Sequence, residues 1–75
     1  MGKSRVGNAI RRLRFEHDEM TQKELAEKVG VTRQTIVAIE KANYSPSLEL
    51  AFLIAQVFGR PLAEVFFFEP ESERE

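Results

Sequence analysis

At about 100° per residue, the stretch from Arg33 to Lys41 collects Gln34, Val37, Ala38 and Lys41 on one face, with Arg33 on its shoulder near the first turn. Ile36 and Ile39 fall on the other face. A guanidinium and a planar amide beside a smooth apolar middle are hydrogen-bonding groups suited to recognition; they neither make nor break bonds on their own. Groups for bond-making chemistry are missing elsewhere in the chain. There is no cysteine, and the one histidine, His17, lies in a polar turn without a second histidine near it. It therefore reads as a solvated residue and not as a ligand or a catalyst. No nucleophile with a base, metal cluster or paired-carboxylate pocket can be assembled, so the sequence predicts a protein that is not an enzyme and implies no metal or cofactor.

A helix has to hold that face, and the chain marks its ends. Thr32 caps the helix from about Arg33 to Lys41. Just before it, Thr21 caps another helix, Glu24 three residues on completes a capping box, and Leu25, Ala26 and Val29 form the apolar stripe. Gly30 stops that helix, because glycine takes a left-handed conformation cheaply, and Val31 can tuck the turn against the core. A first helix is predicted from about Val6 to Asp18, with Val6, Ile10 and Leu13 inward and Arg11, Arg12 and Arg14 around them. His17-Asp18-Glu19 interrupts it. After the loop Asn43-Tyr44-Ser45-Pro46, Ser47 caps a fourth helix ended by Gly59; it carries Leu50, Phe52, Leu53, Ile54, Val57 and Phe58 and should be buried on most sides. Pro61 suits the first turn of a short fifth helix through about Phe66, with Leu62, Val65 and Phe66 turned inward. The predicted fold class is all-α, with five helices.

The 75 residues give room for one domain, and 43% hydrophobic with 31% charged residues is an ordinary globular balance. No apolar run approaches the ~20 residues of a membrane span, and Met1-Gly2-Lys3-Ser4-Arg5 leads into no apolar signal segment. A soluble, cytoplasmic protein with no membrane partner is the expectation. The organisation read from the chain is an N-terminal arm over 1–5, a helical domain over 6–68 and an acidic, disordered tail over 69–75. The net charge of -1 taken alone speaks against nucleic acid, but it is a sum of unlike halves. Residues 1–42 hold nine Lys or Arg against six Asp or Glu, while residues 43–75 hold two Arg against six Glu. A basic front can meet phosphates while an acidic end stays in solvent; two solvated surfaces are the plainer alternative. Phe66, Phe67 and Phe68 cannot all face one small core, so the strip either closes the bottom of the core with one or two rings or marks an interface.

The pattern Thr21-Gln22-x-x-Leu25-Ala26-x-x-x-Gly30-Val31-Thr32-x-x-Thr35-Ile36-x-x-Ile39-Glu40 reads as a helix-turn-helix whose second helix keeps its outer face free. Such a helix fits a major groove about 12 Å wide. From Ala9 to Phe66, and most specifically in Val31-Thr32-Arg33-Gln34-Thr35-Ile36 and Tyr44-Ser45-Pro46-Ser47-Leu48-Glu49-Leu50-Ala51, the chain resembles the phage repressor and Cro family, also called the xenobiotic response element (XRE) family. It is most similar to the small single-domain regulators with the lambda-repressor-like DNA-binding fold.

The resemblance implies a sequence-specific DNA-binding transcriptional regulator, a repressor in the simplest case, that occupies a palindromic operator as a homodimer without a small-molecule effector. It implies base reading by Arg33, Gln34, Val37 and Ala38, and a phosphate contact from Gln22 at the first position of helix two. Thr32, Thr35, Lys41 and Tyr44 are weaker candidates for phosphate. Arg can engage guanine and Gln adenine in bidentate fashion, and Val37 can press on a thymine methyl. The plainer alternatives are a solvated Gln22 and an Arg33 that contacts phosphate only. Arg14 and Glu40 occupy positions where similar proteins carry a structural ion pair between helices one and three, although the turn His17-Asp18-Glu19-Met20 has one residue more than the commonest family spacing. Arg11 and Arg12 read as a solvated face, and Lys3 and Arg5 as a basic arm beside the duplex. The dimer interface is expected on Leu62, Val65, Phe66, Phe67 and Phe68, and the segment after helix five can form a short strand, as in some similar regulators. The competing reading is an antitoxin or other protein-interaction module built on the same fold.

Overall fold

The computed structural model describes residues 4–68. In chain order these form β1 (Val6–Asn8), α1 (Ile10–Glu16), α2 (Gln22–Val29), α3 (Arg33–Glu40), α4 (Leu48–Phe58), α5 (Leu62–Val65) and β2 (Phe66–Phe68). Three helices start where a hydroxyl accepts a free amide. Thr21 bonds the Glu24 amide while Glu24 returns a bond to the Thr21 amide, closing the capping box; Thr32 accepts from Thr35, and Ser47 from Leu50. Two helices end on a left-handed glycine, Gly30 at φ 79° and Gly59 at φ 64°.

Helix one is shorter than its periodicity predicts. Val6 lies in β1, which pairs antiparallel with β2 in the register Val6 to Phe68, Gly7 to Phe67 and Asn8 to Phe66. Asn8 makes the break: its side-chain oxygen accepts the Ile10 amide at 3.2 Å, starting α1 there, and its side-chain nitrogen donates to the Ile39 carbonyl at 2.8 Å, tying the strand to α3. The turn after α1 is built on two successive left-handed residues, Asp18 at φ 60° and Glu19 at φ 54°, after which the Met20 amide returns to the Arg14 carbonyl at 2.9 Å. At the other end, α5 stops at Val65 because Phe66 is already extended.

One core takes a residue from every helix. Ile10 and Leu13 of α1, Leu25 of α2, Ile36 and Ile39 of α3, Ile54 of α4 and Val65 of α5 are all essentially inaccessible to water. Among the described residues no buried side-chain nitrogen or oxygen lacks a partner. Helix α4 departs from the expectation of burial on most sides: Leu50, Ala51, Ile54, Ala55 and Phe58 are buried, but Leu48, Phe52 and Leu53 are exposed. His17 is also corrected, because it is half-buried, edge-on to Phe58 at 5.2 Å, with Nδ1 3.0 Å from the Leu13 carbonyl oxygen. It closes the end of α1 against α4, where the sequence suggested only solvent. Of the arm, Ser4 bonds the Ala42 carbonyl and the Arg5 guanidinium lies 4.7 Å from the Phe68 ring centre. Residues 1–3 and the acidic tail 69–75 lie outside the described residues. No described helix is long and apolar enough to cross a membrane.

Candidate nucleic-acid interface

Helix α3 shows two faces of opposite character. Ile36 and Ile39 are locked in the core, while Arg33 and Gln34 are exposed at the first turn, Val37 and Ala38 are half-buried beyond them, and Lys41 is exposed just past the last turn. The Thr32 hydroxyl caps the helix at 3.2 Å from the Thr35 amide and also lies 3.1 Å from the half-buried Thr35 hydroxyl, so both oxygens sit at the positive end of the helix dipole. Tyr44, in the loop that follows, is exposed. The approach of α3 to α2 is set by the turn between them, where the Gly30 and Val31 amides both return to the Ala26 carbonyl, at 2.8 and 3.0 Å.

A charged network anchors this pair of helices to α1. Arg14 Nε donates to Glu40 Oε2 at 2.6 Å and Arg14 Nη2 to Glu40 Oε1 at 3.2 Å, while Arg14 Nη1 donates to the Met20 carbonyl at 2.8 Å. The side chains are only 15% and 10% exposed, so water screens the pair weakly. Gln22 joins it, donating one amide hydrogen to Glu40 Oε1 at 3.1 Å. Its second amide hydrogen and its carbonyl oxygen remain for another partner. Sequence reasoning paired Arg14 with Glu40 but considered Gln22 alone; their meeting depends on the angle between α2 and α3, which spacing does not reveal.

These groups surround an open concavity between α1, the head of α2 and the outer side of α3. Six cations line it, Arg11, Arg12, Arg14, Lys23, Arg33 and Lys41, against two carboxylates, Glu19 and Glu40. Arg14 is spent on Glu40, and Arg12 pairs with Glu16 at 3.2 Å. Among the described residues, Arg11, Lys23, Arg33 and Lys41 have no carboxylate within ion-pair distance. Lys23, and Arg11 on what the sequence suggested was merely a solvated face, thus join the residues singled out from the pattern. The local signal for Lys23 was its place beside Gln22 in the first turn of α2.

The residues expected at a dimer interface do not share one surface. Val65 is inaccessible and Phe66 is 9% exposed, both facing the chain's own core, and Leu62 packs against that core half-buried. They close the bottom of the domain, which leaves Val65 and Phe66 no surface for a second chain. Only Phe67 and Phe68 are exposed. Strand alternation does not apply cleanly to a three-residue strand that ends the described chain.

Comparison with known proteins agrees with this geometry. A helix-turn-helix family model, HTH_3, matches residues 10–65. An uncharacterised HTH-type transcriptional regulator of Methanocaldococcus jannaschii is 48% identical over 65 residues, covering 87% of this chain and 97% of its own. A transcriptional repressor of the cryptic phage CTXphi in Vibrio cholerae, RstR, is 43% identical over 56 residues, 75% of this chain and 50% of its own. The crystal structure of a Bacteroides fragilis protein superposes with a TM-score of 0.71 at 21% identity, covering 83% of this chain and 98% of that one, which supports the five-helix fold. With an exposed α3 set on a helix-turn-helix and relatives of this kind, the chain belongs to the XRE/Cro-like helix-turn-helix family of DNA-binding transcriptional regulators, a family of non-enzymatic proteins.

Proposed function

We propose that the chain is a repressor that binds a palindromic operator as a homodimer, with the outer face of α3 in the major groove of each half-site. The observation that carries this reading is the exposed pair Arg33 and Gln34 at the head of α3, beside a Gln22 already held by Glu40. Arg33 and Gln34 read base edges, and Val37 and Ala38 give a smooth surface that tolerates a thymine methyl. Gln22 donates its remaining amide hydrogen to a phosphate that also meets the α2 N-terminus. Thr32, Thr35, Lys41 and Tyr44 contact the backbone, joined by Arg11 and Lys23 from the concavity. Phosphate contacts fix the register and base contacts choose the sequence.

A single module of this size buries only about 600–1,000 Å² on DNA, so useful specificity calls for two copies on half-sites about 34 Å apart. The repressor assignment is supported by the similarity to the CTXphi repressor. Occupancy is the mechanism: a dimer on an operator that overlaps a promoter excludes polymerase. Selection of bound duplexes from a random pool tests the proposal. Enrichment of a two-fold symmetric sequence supports it; enrichment of an asymmetric site, or of none, contradicts it.

A further inference from the structure

The concavity beside α3 is open to water and electrically unbalanced. Six cations line it against two carboxylates, and among the described residues Arg11, Lys23, Arg33 and Lys41 have no carboxylate within ion-pair distance. Its wall also includes the exposed rings of Phe15 and Phe67. Phosphates leave such rings unused, whereas a peptide has apolar groups to lay on them. The last described residues lie at the edge of this surface. Phe67 lines it, and Phe68 pairs with Val6; two residues before Val6, the Ser4 amide donates to the carbonyl of Ala42, the neighbour of Lys41. Beyond Phe68 the sequence reads Glu69-Pro70-Glu71-Ser72-Glu73-Arg74-Glu75, with four side-chain carboxylates against one guanidinium.

We propose that without DNA residues 69–75 occupy this concavity of their own chain, their glutamates paired with Arg11, Lys23, Arg33 and Lys41, and that DNA must displace them; the displacement, though not the docking, rests on the DNA-binding reading above. Charge identifies the occupant, since the segment matches the concavity in sign and supplies four carboxylates for four cations. Length permits it. The seven residues reach at most about 25 Å, and the eight of α3 span about 12 Å, so the segment can follow that helix from Lys41 back to Arg33. Pro70 disfavours helical geometry at Glu69, so an extended run onward from β2 is the expected course. Glu69, Glu71, Glu73 and Glu75 alternate along the sequence. In an extended chain they share one edge, a row of negative charge at intervals of roughly 7 Å that stands in for a strand of phosphates. Tethering raises the effective concentration to the millimolar range, so ion pairs that are individually weak suffice for occupancy at low salt.

A spin label in the full chain tests this, because Ser72→Cys supplies a single cysteine to carry it. Without DNA, at about 0.05 M salt, the label is expected to broaden the backbone amide signals of Lys23 and Arg33, and the broadening should fade at about 0.5 M salt. It should also disappear when Glu69→Gln, Glu71→Gln, Glu73→Gln and Glu75→Gln are made together, with circular dichroism as the check on folding. Unlabelled, that Gln variant should bind a duplex about tenfold more tightly than the wild type at the lower salt and within about twofold of it at the higher. A segment that only repelled DNA from solution would raise the affinity of the Gln variant without any broadening. Signals of Lys23 and Arg33 that stay sharp, or broadening indifferent to salt and to the Gln changes, would therefore overturn the docking. Broadening that vanishes when labelled chains are diluted into an excess of plain ones would overturn it too, because the segment would then sit on a second copy. Unchanged duplex affinity in the Gln variant, with the broadening present, would overturn the displacement alone. Failure of both proteins to bind any duplex would overturn the DNA-binding reading and leave the docking standing.

Discussion

Helices α3 and α4 are built alike and turn different faces to water. Each starts on a hydroxyl cap, Thr32 or Ser47, and each fixes itself to the same core, α3 through Ile36 and Ile39 and α4 through Leu50, Ile54 and Phe58. Outward, α3 shows Arg33 and Gln34 with Lys41 at its end, whereas α4 shows Leu48, Phe52 and Leu53. The buried stripe makes each segment a helix of this domain. The outward residues of both helices, by contrast, contribute little to that core.

The most severe test of that division compares neighbours on α4. Ile54→Ala, at a site with no exposure, should destabilise the domain by about 2–5 kcal/mol through lost burial and the cavity left behind. In a domain of this size that is a large part of total stability, and urea denaturation will read it. Glu40→Ala should come next, at roughly 2 kcal/mol, below the ~3–5 of a fully buried pair because both groups keep some contact with water. It should also weaken DNA binding beyond its effect on folding, since it releases Gln22. A double-mutant cycle checks this: Gln22→Ala should weaken binding less in the Glu40→Ala background than in the wild type.

Gln34→Ala should cost about 1–3 kcal/mol at one base position and relax the preference there, while Gln22→Ala should weaken all duplexes alike. Binding to a set of single-substituted duplexes separates the two; equal losses on every duplex for both variants would mean that α3 and the head of α2 do not divide base from phosphate as described. Lys41→Ala should leave the preferred sequence intact and reduce the slope of log affinity against log salt by about one. The smallest effect belongs to Leu53→Ala, within about 0.5 kcal/mol on the stability of the diluted chain, although its neighbour Ile54 is critical.

The heads of α2, α3 and α4 and the glycines that end α2 and α4 were legible because capping is local chemistry, complete within three or four residues. The helix-turn-helix and the inward stripes followed from the same short-range rules. Strand β1 was not legible, since Val6 continues the apolar spacing of Ile10 and Leu13, and its partner Phe68 is at the far end of the chain. Gly7 and Asn8 were the only local signs of a break. The outer face of α4 was misread because its composition suits burial, but the described chain is too small to cover it: α4 packs mainly against α2 and α5. For the proposed interface with DNA, spacing placed Arg33 and Gln34 on one face. The link from Gln22 to Glu40, and the gathering of Arg11 and Lys23 beside them, needed the helix angles.

Choice of a DNA sequence is assigned above all to the head of α3. Titration of the wild type and Gln34→Ala, across a range of salt, against a duplex selected from a random pool and a scrambled duplex of equal length will decide whether it does so. The wild type is expected to prefer the selected duplex by about 10³-fold or more, log affinity to fall linearly with log salt, and Gln34→Ala to narrow the preference. Equal affinity of the wild type for the two duplexes, or no binding of either at low salt, would contradict it.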